Sequence, residues 1–402
     1  MVARKDFNRY MMPVYKPAEF IPFKAKGSFV WDKQKKKYID FASGIAVSSL
    51  GHCHPELNKA LLEQSKKIWH LSNLLTNEPA LQLAKILCKT TFAEKVFFSN
   101  SGAEAIEGAI KTARKHAYVN ISKKKNGIVA FSDAFHGRTM MAIALNGSDR
   151  FIEGFGPMPG GITHHPFNET KNLEKAINKN TAAVVIELVQ GEAGIIKAKR
   201  DFIQKIKKLC KAHKVLIIVD EVQSGAGRTG TLFAYEQFGI KPDIMCCAKG
   251  IGGGIPIGAI LTSTKIAECM QLGSHGSTFG GNPLACAVAE KVMTLLSKKA
   301  LLNGVKKKEK IFVEGLKKIN KEFKCFEEIR SSGLWIGCTL NVQENFNLDT
   351  MMSACYAKGL MILKANNNTI RIAPSLIIED KVIQQGLKIL RSAIQEQLQH
   401  QQ

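Results

Sequence analysis

The 402-residue chain has no apolar run close to the roughly 20 residues that a membrane-spanning helix needs. Its beginning, Met1–Arg9, lacks the apolar core of a secretory signal peptide, so we expect a cytoplasmic protein without a membrane partner. Low-complexity linkers and internal repeats are also missing. Hydrophobic residues make up 45% of the chain, which is enough for a large core. The length favours one large domain together with a smaller one.

The ten cysteines do not occur in the CxxC spacing that is typical of metal and redox sites. Cys246 and Cys247 are adjacent within one apolar run, and neighbouring side chains on a strand point to opposite faces. We therefore expect neither a metal site nor a disulfide framework. The cysteines are interpreted as reduced thiols that act as small buried hydrophobes.

Acidic residues are few, since 34 Asp and Glu stand against 57 Lys and Arg and leave a net charge of +23. Such an excess can indicate a surface for nucleic acid or anionic membranes. Here the lysines occur in short runs along the whole chain and are not interleaved with aromatic residues, as at Lys35–Lys37, Lys123–Lys125 and Lys306–Lys308. We interpret them as solvated surface and expect no nucleic-acid partner. A basic nucleic-acid-binding or scaffold protein remains the alternative from a different class.

Apolar runs alternate with helical patterns through the middle of the chain, for example at the helices predicted for Gly102–Tyr118 and Phe202–His213. This alternation predicts an α/β fold with a largely parallel central sheet and helices on both faces. The predicted strands are Lys95–Ser99, Gly127–Phe131, Ala182–Ile186, Val215–Val219, Ile244–Ala248 and Ile257–Leu261.

Three segments of different character suggest the domain organisation. Residues 1–60 are expected to form an N-terminal arm and a few strands, including a hairpin at Gly27–Asp32 and Lys37–Asp40, that pack with the C-terminal domain. Residues 61–290 are expected to form the large cofactor-binding domain. Residues 291–402 begin with a long Lys-rich helical stretch, and they predict a smaller α+β domain with short strands at 334–341 and 369–372.

A lysine and an acid stand at the ends of two apolar runs. Asp220 follows Val215–Val219, and Lys249 follows Ile244–Ala248 and precedes a glycine-rich segment. Both therefore belong at the carboxyl edge of a parallel sheet, where ligands bind. Pyridoxal 5′-phosphate (PLP) chemistry requires a lysine that holds the aldehyde as a Schiff base and a carboxylate that keeps the pyridine nitrogen protonated. The pair indicates a PLP enzyme; an acid in an ordinary turn is the alternative for Asp220.

Further residues after predicted strands could complete such a site. Gln223 could hydrogen-bond the phenolic oxygen of the cofactor. The helix that opens at Asn100–Glu104 could bind a phosphate through its free N–H groups, although simple N-capping by Asn100 or Ser101 explains the same residues. Both explanations stay open from the residues alone.

The segment Ala134–Thr139 combines an aromatic, a histidine and an arginine. Phe135 could stack on a cofactor ring and Arg138 could bind a carboxylate, whereas an ordinary surface loop is the commoner explanation. Near the C-terminus, Arg371 interrupts an apolar strand, and a buried arginine requires a carboxylate partner.

One motif is a decoy. Gly225–Gly230 matches the GxGxxG pattern of dinucleotide-binding folds. Such folds need a helix that opens in the glycines and then a second strand. Only Leu232–Gly239 separates the motif from Pro242, and this is too short for a helical crossover. We therefore reject a nicotinamide site.

Taken in order, these segments resemble the class-III aminotransferases of PLP fold type I, and among them the acetylornithine aminotransferases, from about Met12 to Asp380. The segments that carry the resemblance are Pro17–Pro22, Asp40–Ala46, Gly51–Pro55, Asn100–Ala105, Ala134–Arg138, Gln190–Gly194, Asp220–Gly225, Ala248–Gly250, Gly276–Pro283 and Arg371–Ser375.

The resemblance implies a PLP-dependent homodimer with an active site shared across the interface. It implies transfer of the δ-amino group of N2-acetylornithine to 2-oxoglutarate, which gives N-acetyl-L-glutamate 5-semialdehyde and glutamate in arginine biosynthesis. Many members of the family also act on N-succinyl-diaminopimelate in lysine biosynthesis. Succinylornithine, ornithine and 4-aminobutyrate remain alternative donors.

The resemblance also implies roles for the cofactor residues. Lys249 would form the covalent link and Asp220 would hold the pyridine nitrogen. Phe135 would stack on the ring. The phosphate would be bound by Ser101, Gly102 and Ala103, and by Thr278 of the partner subunit.

For the substrates, the resemblance implies that Arg138 and Ser277 contact the acetylated end of the donor. Arg371 would take the α-carboxylate of 2-oxoglutarate or glutamate, and Glu192 would hold Arg371 aside while the donor is bound. Ala103 and Leu188 depart from the Thr and Pro that close relatives often carry. Ala103 loses a hydroxyl contact but keeps its N–H.

Overall fold

The computed structural model describes residues 3–341, 346–366 and 368–399. The predicted N-terminal and C-terminal domains also include residues 1–2, 342–345, 367 and 400–402, which lie outside the described residues. Within the described ranges, no helix has both the length and the apolar character to cross a bilayer.

The N-terminal segment forms a small antiparallel sheet. The hairpin predicted from the sequence is confirmed, because its two halves pair with each other and a third strand precedes them. Gly27 has a φ of +58°, which suits the turn before the second strand. The elements are helices α1 (Lys5–Tyr10) and α2 (Ser43–Ala46) and strands β1 (Pro22–Lys26), β2 (Phe29–Asp32) and β3 (Lys37–Asp40).

The middle of the chain alternates strands with helices. Its helices are α3 (Pro55–Ser65), α4 (Glu78–Thr90), α5 (Gly102–Asn120), α6 (Met140–Leu145), α7 (Leu173–Ala176), α8 (Arg200–His213), α9 (Thr264–Ala267) and α10 (Pro283–Leu296). Its strands are β4 (Lys95–Ser99), β5 (Gly127–Phe131), β6 (Ile162–His165), β7 (Thr181–Ile186), β8 (Val189–Gln190), β9 (Ile196–Lys197), β10 (Leu216–Asp220), β11 (Ile244–Cys247) and β12 (Gly258–Thr262).

Seven of these strands form the central sheet in the order β4-β12-β11-β10-β7-β5-β6. The prediction of a largely parallel sheet is confirmed, because only β12 runs antiparallel to its neighbours. All six predicted strands are present within one residue at each end. The edge strand β6 was not predicted, since its sequence Ile-Thr-His-His lacks an aliphatic run.

The two faces of the sheet are buried under different layers. Cys246 packs in the core cluster that includes helix α5, whereas its neighbour Cys247 packs in the cluster on the opposite face. This is the alternation that the adjacent cysteines predicted. Helix α5 lies close to the sheet because Gly108 faces Ile260, where an added Cβ would lie 2.4 Å from the Ile260 Cδ1 atom. Because α5 begins directly after strand β4, its first turn lies at the carboxyl edge of the sheet.

One lysine departs from the expectation of a solvated surface. Lys125 is buried, and its Nζ donates to the carbonyl oxygen of His213 at 2.8 Å. Burial lowers the pKa of this lysine from its usual value. The expectation for the run Lys123–Lys125 is therefore wrong at Lys125, because its amine donates to the carbonyl oxygens of Lys179 and His213, which are distant in the sequence.

The C-terminal segment forms an antiparallel sheet in the order β13-β14-β17-β16, and the predicted strands near 334–341 and 369–372 are β14 and β17. Strand β15 instead pairs in parallel with β3 of the N-terminal sheet. The decoy motif at Gly225–Gly230 lies in turns and opens no α-helix. The elements are α11 (Lys299–Phe323), α12 (Leu348–Ala357), α13 (Asp380–Gln399), β13 (Phe326–Ser331), β14 (Ile336–Leu340), β15 (Leu360–Met361), β16 (Leu363–Ala365) and β17 (Thr369–Ile372).

Candidate cofactor and substrate site

A cavity of about 360 Å³ lies at the carboxyl edge of the central sheet. Its walls come from the segments that follow β4, β5, β7, β10 and β11, so the topology of the sheet brings together residues that are far apart in sequence. The predicted site residues that line it are Ser101, Gly102, Ala103, Phe135, Asp220, Gln223 and Lys249.

Asp220 ends strand β10 and is buried. Its Oδ1 accepts a hydrogen bond from the backbone N–H of Val222 at 2.9 Å, and its Oδ2 lies 2.8 Å from the Nδ1 of His136. Burial alone would lower the pKa of His136, but the hydrogen bond to Asp220 and the charge of that carboxylate outweigh burial and raise it. The imidazole therefore donates to Asp220 and fixes its orientation in the cavity.

Lys249 follows strand β11 and has a φ of +45°, a conformation that few lysines adopt. Its side chain is half-buried and faces the cavity. Loss of water around Nζ, together with the positive charge of Arg371, lowers its pKa to about 8, although nearby carboxylates such as Asp220 act in the opposite direction. A large fraction of Lys249 is thus neutral, and nucleophilic, near pH 8.

The first turn of helix α5 forms another wall of the cavity. The hydroxyl of Ser101 accepts the backbone N–H of Glu104 at 3.2 Å, so Ser101 is the N-cap. Gly102 cannot be replaced without a shift, because an added Cβ would lie 2.8 Å from Val222 Cγ1. The sequence left open whether this segment caps the helix or binds a phosphate. Both are compatible here, because Ser101 caps the helix while the first turn keeps free N–H groups.

Glu187 is a cavity residue that the sequence analysis did not select. It directly follows strand β7, and its Oε2 accepts the backbone N–H of Phe135 at 2.9 Å. Burial raises the pKa of Glu187 to about 7, although the charge of His136 opposes this change. An acid directly after a buried strand is the same signal that selected Asp220, and it could have found Glu187.

Arg371 and Glu192 are brought together although 179 positions separate them. Arg371 on strand β17 is buried, and its Nη1 donates to Glu192 Oε1 at 2.5 Å. Gly191 holds the backbone beside Glu192 against Trp335, since an added Cβ would lie 2.3 Å from Trp335 Cζ2. Neither member of the pair lines the 360 Å³ cavity, yet the positive charge of Arg371 helps to lower the pKa of Lys249.

Three further predicted residues also lie outside the cavity of a single chain. Arg138 is exposed, and its guanidinium lies 4.4 Å from the ring centroid of Phe151. Ser277 accepts a hydrogen bond from the side-chain amide of Asn100 at 3.2 Å. Thr278 is exposed to solvent. The single chain therefore supplies the amine, the carboxylate and the first turn of α5, but not these three contacts.

The lining of the cavity fits a phosphorylated pyridine aldehyde. It combines a lysine of lowered pKa, an oriented carboxylate and the N–H groups of a helix start. The side-chain amide oxygen of Gln223 is buried and has no hydrogen-bond partner among the residues that the structure describes. A buried amide oxygen needs a hydrogen-bond donor, which the phenolic O–H of such a ring would supply.

Comparisons with known proteins cover almost the whole chain. The family model for class-III aminotransferases matches residues 10–394. The acetylornithine/succinyldiaminopimelate aminotransferase of Buchnera aphidicola is 48% identical over 398 residues, which are 99% of this chain and 98% of that protein. The succinylornithine transaminase of Yersinia pseudotuberculosis is 48% identical over 401 residues, with 98% and 97% covered. The structure of N-acetylornithine aminotransferase from Stenotrophomonas maltophilia has a TM-score of 0.85 and 37% identity, and 98% of each chain is covered.

Proposed function

The chain belongs to the class-III aminotransferases, and from this premise we propose that it transfers the δ-amino group of N2-acetylornithine to 2-oxoglutarate with PLP as cofactor. Its fold is that of the family, fold type I. The products are N-acetyl-L-glutamate 5-semialdehyde and glutamate, and the activity belongs to arginine biosynthesis. The cytoplasm is the proposed compartment. The observation that carries the proposal is the lysine of lowered pKa that shares one cavity with the oriented carboxylate of Asp220.

When bound, PLP supplies an aldehyde that condenses with amines and a charged ring that withdraws electrons from the neighbouring bonds. Lys249 holds the cofactor through Nζ. The neutral Nζ of Lys249 would also take the proton from the substrate carbon that carries nitrogen and would later return a proton. A pKa of about 8 suits both directions of this transfer near neutral pH.

Asp220 keeps the pyridine nitrogen protonated through its negative charge. His136 donates to the Oδ2 of Asp220 and orients the carboxylate. Phe135 would stack on the ring of bound PLP, and Gln223 would bond its phenolic oxygen. The phosphate is held by the first turn of α5, at Ser101, Gly102 and Ala103.

The partner subunit completes the site in a homodimer. Thr278 of each chain binds the phosphate held by the other, which fits its exposed position outside the cavity of its own chain. Large apolar side chains near this loop support a second copy as the partner. Trp69, Leu74 and Phe279 are 65%, 93% and 60% exposed in the single chain.

Two substrates of different charge must use one pocket in turn. Arg371 binds the α-carboxylate of 2-oxoglutarate, while Glu192 neutralises Arg371 when the donor occupies the site. The closed Arg371–Glu192 pair at 2.5 Å supports this exchange, because its opening frees a buried guanidinium for a carboxylate. Arg138 and Ser277 contact the acylated end of the donor.

The names of two similar proteins favour a second amino donor. The name of the Buchnera enzyme adds succinyldiaminopimelate, and the Yersinia enzyme is named for succinylornithine. Each donor, like N2-acetylornithine, carries an acylated α-amino acid at one end and a free amine at the other. We therefore propose N-succinyl-diaminopimelate, in lysine biosynthesis, as an additional donor, with succinylornithine, ornithine and 4-aminobutyrate as alternatives.

The two half-reactions test this proposal separately. Arg371→Ala is expected to slow the reaction with 2-oxoglutarate at least tenfold, and far more than the reaction with N2-acetylornithine, because only the first contributes a carboxylate to Arg371. Single-turnover absorbance measurements with each substrate follow the two steps. A purified wild-type chain that transfers no amino group from a panel of ω-amino donors would contradict the proposed activity. Equal slowing of both half-reactions would refute only the role of Arg371.

A further inference from the structure

The loop Gly276–Asn282 makes hydrogen bonds and packing contacts with its own chain. The side-chain amide of Asn73 donates to the carbonyl oxygens of Ser277 at 2.9 Å and Gly280 at 3.1 Å. The loop also packs on strand β4, because an added Cβ at Gly280 would lie 2.3 Å from the carbonyl oxygen of Phe98. The loop is therefore held by contacts within its own chain.

Asn100 joins this loop to the cofactor cavity of the same chain. The Asn100 side chain lines the cavity beside Ser101. Its Nδ2 donates to Ser277 Oγ at 3.2 Å and to Glu104 Oε2 at 2.9 Å, and its backbone N–H donates to the same Glu104 oxygen at 2.7 Å. One side chain thus contacts both the first turn of helix α5 and the residue before Thr278.

The opposite side of the loop is exposed. Thr278 and Phe279 lie at the surface, and the ring of Phe279 is 5.1 Å from the ring of His70. Leu74, which follows the loop-binding Asn73, is 93% exposed. The loop and the segment around residues 70–75 therefore form one surface, which in the proposed homodimer faces the second copy.

We propose that Asn100 is a positioning residue for two active sites. It shapes the phosphate-binding turn of its own subunit, and through Ser277 it holds Thr278 in position for the phosphate in the partner subunit. This inference rests on the proposed function and its homodimer. Loss of Asn100 in one subunit should therefore weaken PLP binding in the other subunit, whose own residues are all intact.

Hybrid dimers separate the two effects. In the cross-subunit hybrid, one subunit carries both Asn100→Ala and Lys249→Ala, and the other is wild type. Its single Lys249 site then has an intact cavity and receives Thr278 from the altered subunit. The reference hybrid pairs a Lys249→Ala subunit with a wild-type subunit. The rate of PLP release from the Lys249 site is followed by its visible absorbance.

We expect PLP release from the cross-subunit hybrid to be about three to ten times faster than from the reference hybrid, since one hydrogen bond that orders a phosphate contact is lost. Equal rates in the two hybrids would overturn the inference. A wild-type chain that holds PLP as a monomer would overturn it as well, while leaving the proposed aminotransferase activity intact. A reference hybrid without absorbance or activity would instead indicate that the proposed function is wrong.

A second variant and a control complete the design. Asn100→Leu keeps the number and branching of the side-chain heavy atoms but donates no hydrogen bond, so it replaces Asn100→Ala if that variant does not assemble. Asn120→Ala is the matched control, because Asn120 ends the same helix and contacts only His116 through its side-chain amide in the described chain. The control hybrid should release PLP at the reference rate.

Discussion

Lys249 combines an unfavourable backbone conformation with an unusual acidity. A lysine at positive φ costs of order 1–3 kcal/mol, and such strain persists only where surrounding packing maintains it. The position also makes the amine more acidic, since burial and the charge of Arg371 lower its pKa to about 8. At pH 7 roughly one tenth of this amine is neutral, against about one in three thousand for an ordinary lysine.

This acidity predicts how the apoprotein takes up PLP at different pH. Only the neutral amine attacks the aldehyde, so the loading rate should rise through pH 8 and level off at about pH 9. Arg371→Leu removes a positive neighbour and should move the midpoint to higher pH, because the charged amine is then less destabilised. Stopped-flow absorbance of PLP loading measures both profiles. Arg391→Leu, a change on the exposed face of α13, is the control, and an unchanged midpoint in Arg371→Leu would contradict this account of the pKa.

The sequence identifies single site residues at the ends of predicted strands, but it does not identify the side chains that contact them. Asp220 and Lys249 each follow an aliphatic run, and both line the cavity. No role was assigned to His136 from the sequence, because no local pattern reveals that its Nδ1 meets Asp220 across 84 positions. Such long-range contacts depend on the order of strands, which the sequence does not display.

At the scale of elements, glycines decide how closely helices approach their neighbours. Gly386 in helix α13 faces Phe41, a fully buried ring that follows strand β3 and packs edge-on against Phe312. An added Cβ would lie 2.2 Å from Phe41 Cζ. The contact joins the last helix of the chain to the N-terminal strands.

The variant Gly386→Ala should therefore be less stable than the wild type by about 1–3 kcal/mol, since a rigid buried ring must shift. Gly304→Ala in helix α11 is the matched control, because its Cβ would meet only the flexible amine of Lys308 at 3.5 Å. This control should be more stable by up to about 1 kcal/mol, because alanine favours the helix. Urea unfolding measures both, and a Gly386→Ala variant as stable as Gly304→Ala would refute the packing argument.

Strand positions and the largely parallel sheet could be predicted from the sequence, but the reversed direction of strand β12 could not. Residues 258–262 of β12 are all buried, as are residues 244–247 of the neighbouring β11. A run of buried aliphatic residues looks the same whether the strand is parallel or antiparallel, so the reversed direction of β12 had no local signal. Strand β15 has only two residues, and its pairing with β3 depends on the C-terminal chain returning to the N-terminal sheet.

At the scale of the whole molecule, we propose the division into residues 1–60, 61–290 and 291–402 that the sequence suggested. The pairing of β3 with β15 supports a joint unit of the first and last segments. The exposed apolar surface around Leu74 has few charged side chains, although the chain as a whole carries a net charge of +23. Such a patch favours a protein interface.

Replacement of Leu74 by Arg should disrupt the proposed homodimer. A charge buried without a partner in an interface costs enough to weaken dimerisation roughly tenfold or more. Loss of the partner's Thr278 should then also reduce PLP retention. Val119→Arg is the control, because Val119 is 57% exposed near the far end of helix α5. Sedimentation velocity measures the dimer, and a Leu74→Arg protein that sediments like this control would exclude the surface as the interface.

The central claim is that Lys249 holds the cofactor covalently, and mass spectrometry after borohydride reduction of the PLP-loaded protein tests it most directly. The account predicts a stable phosphopyridoxyl label on the peptide that contains Lys249, and no label there in Lys249→Ala. Reduced protein that carries the label on another lysine, or on none, would contradict it.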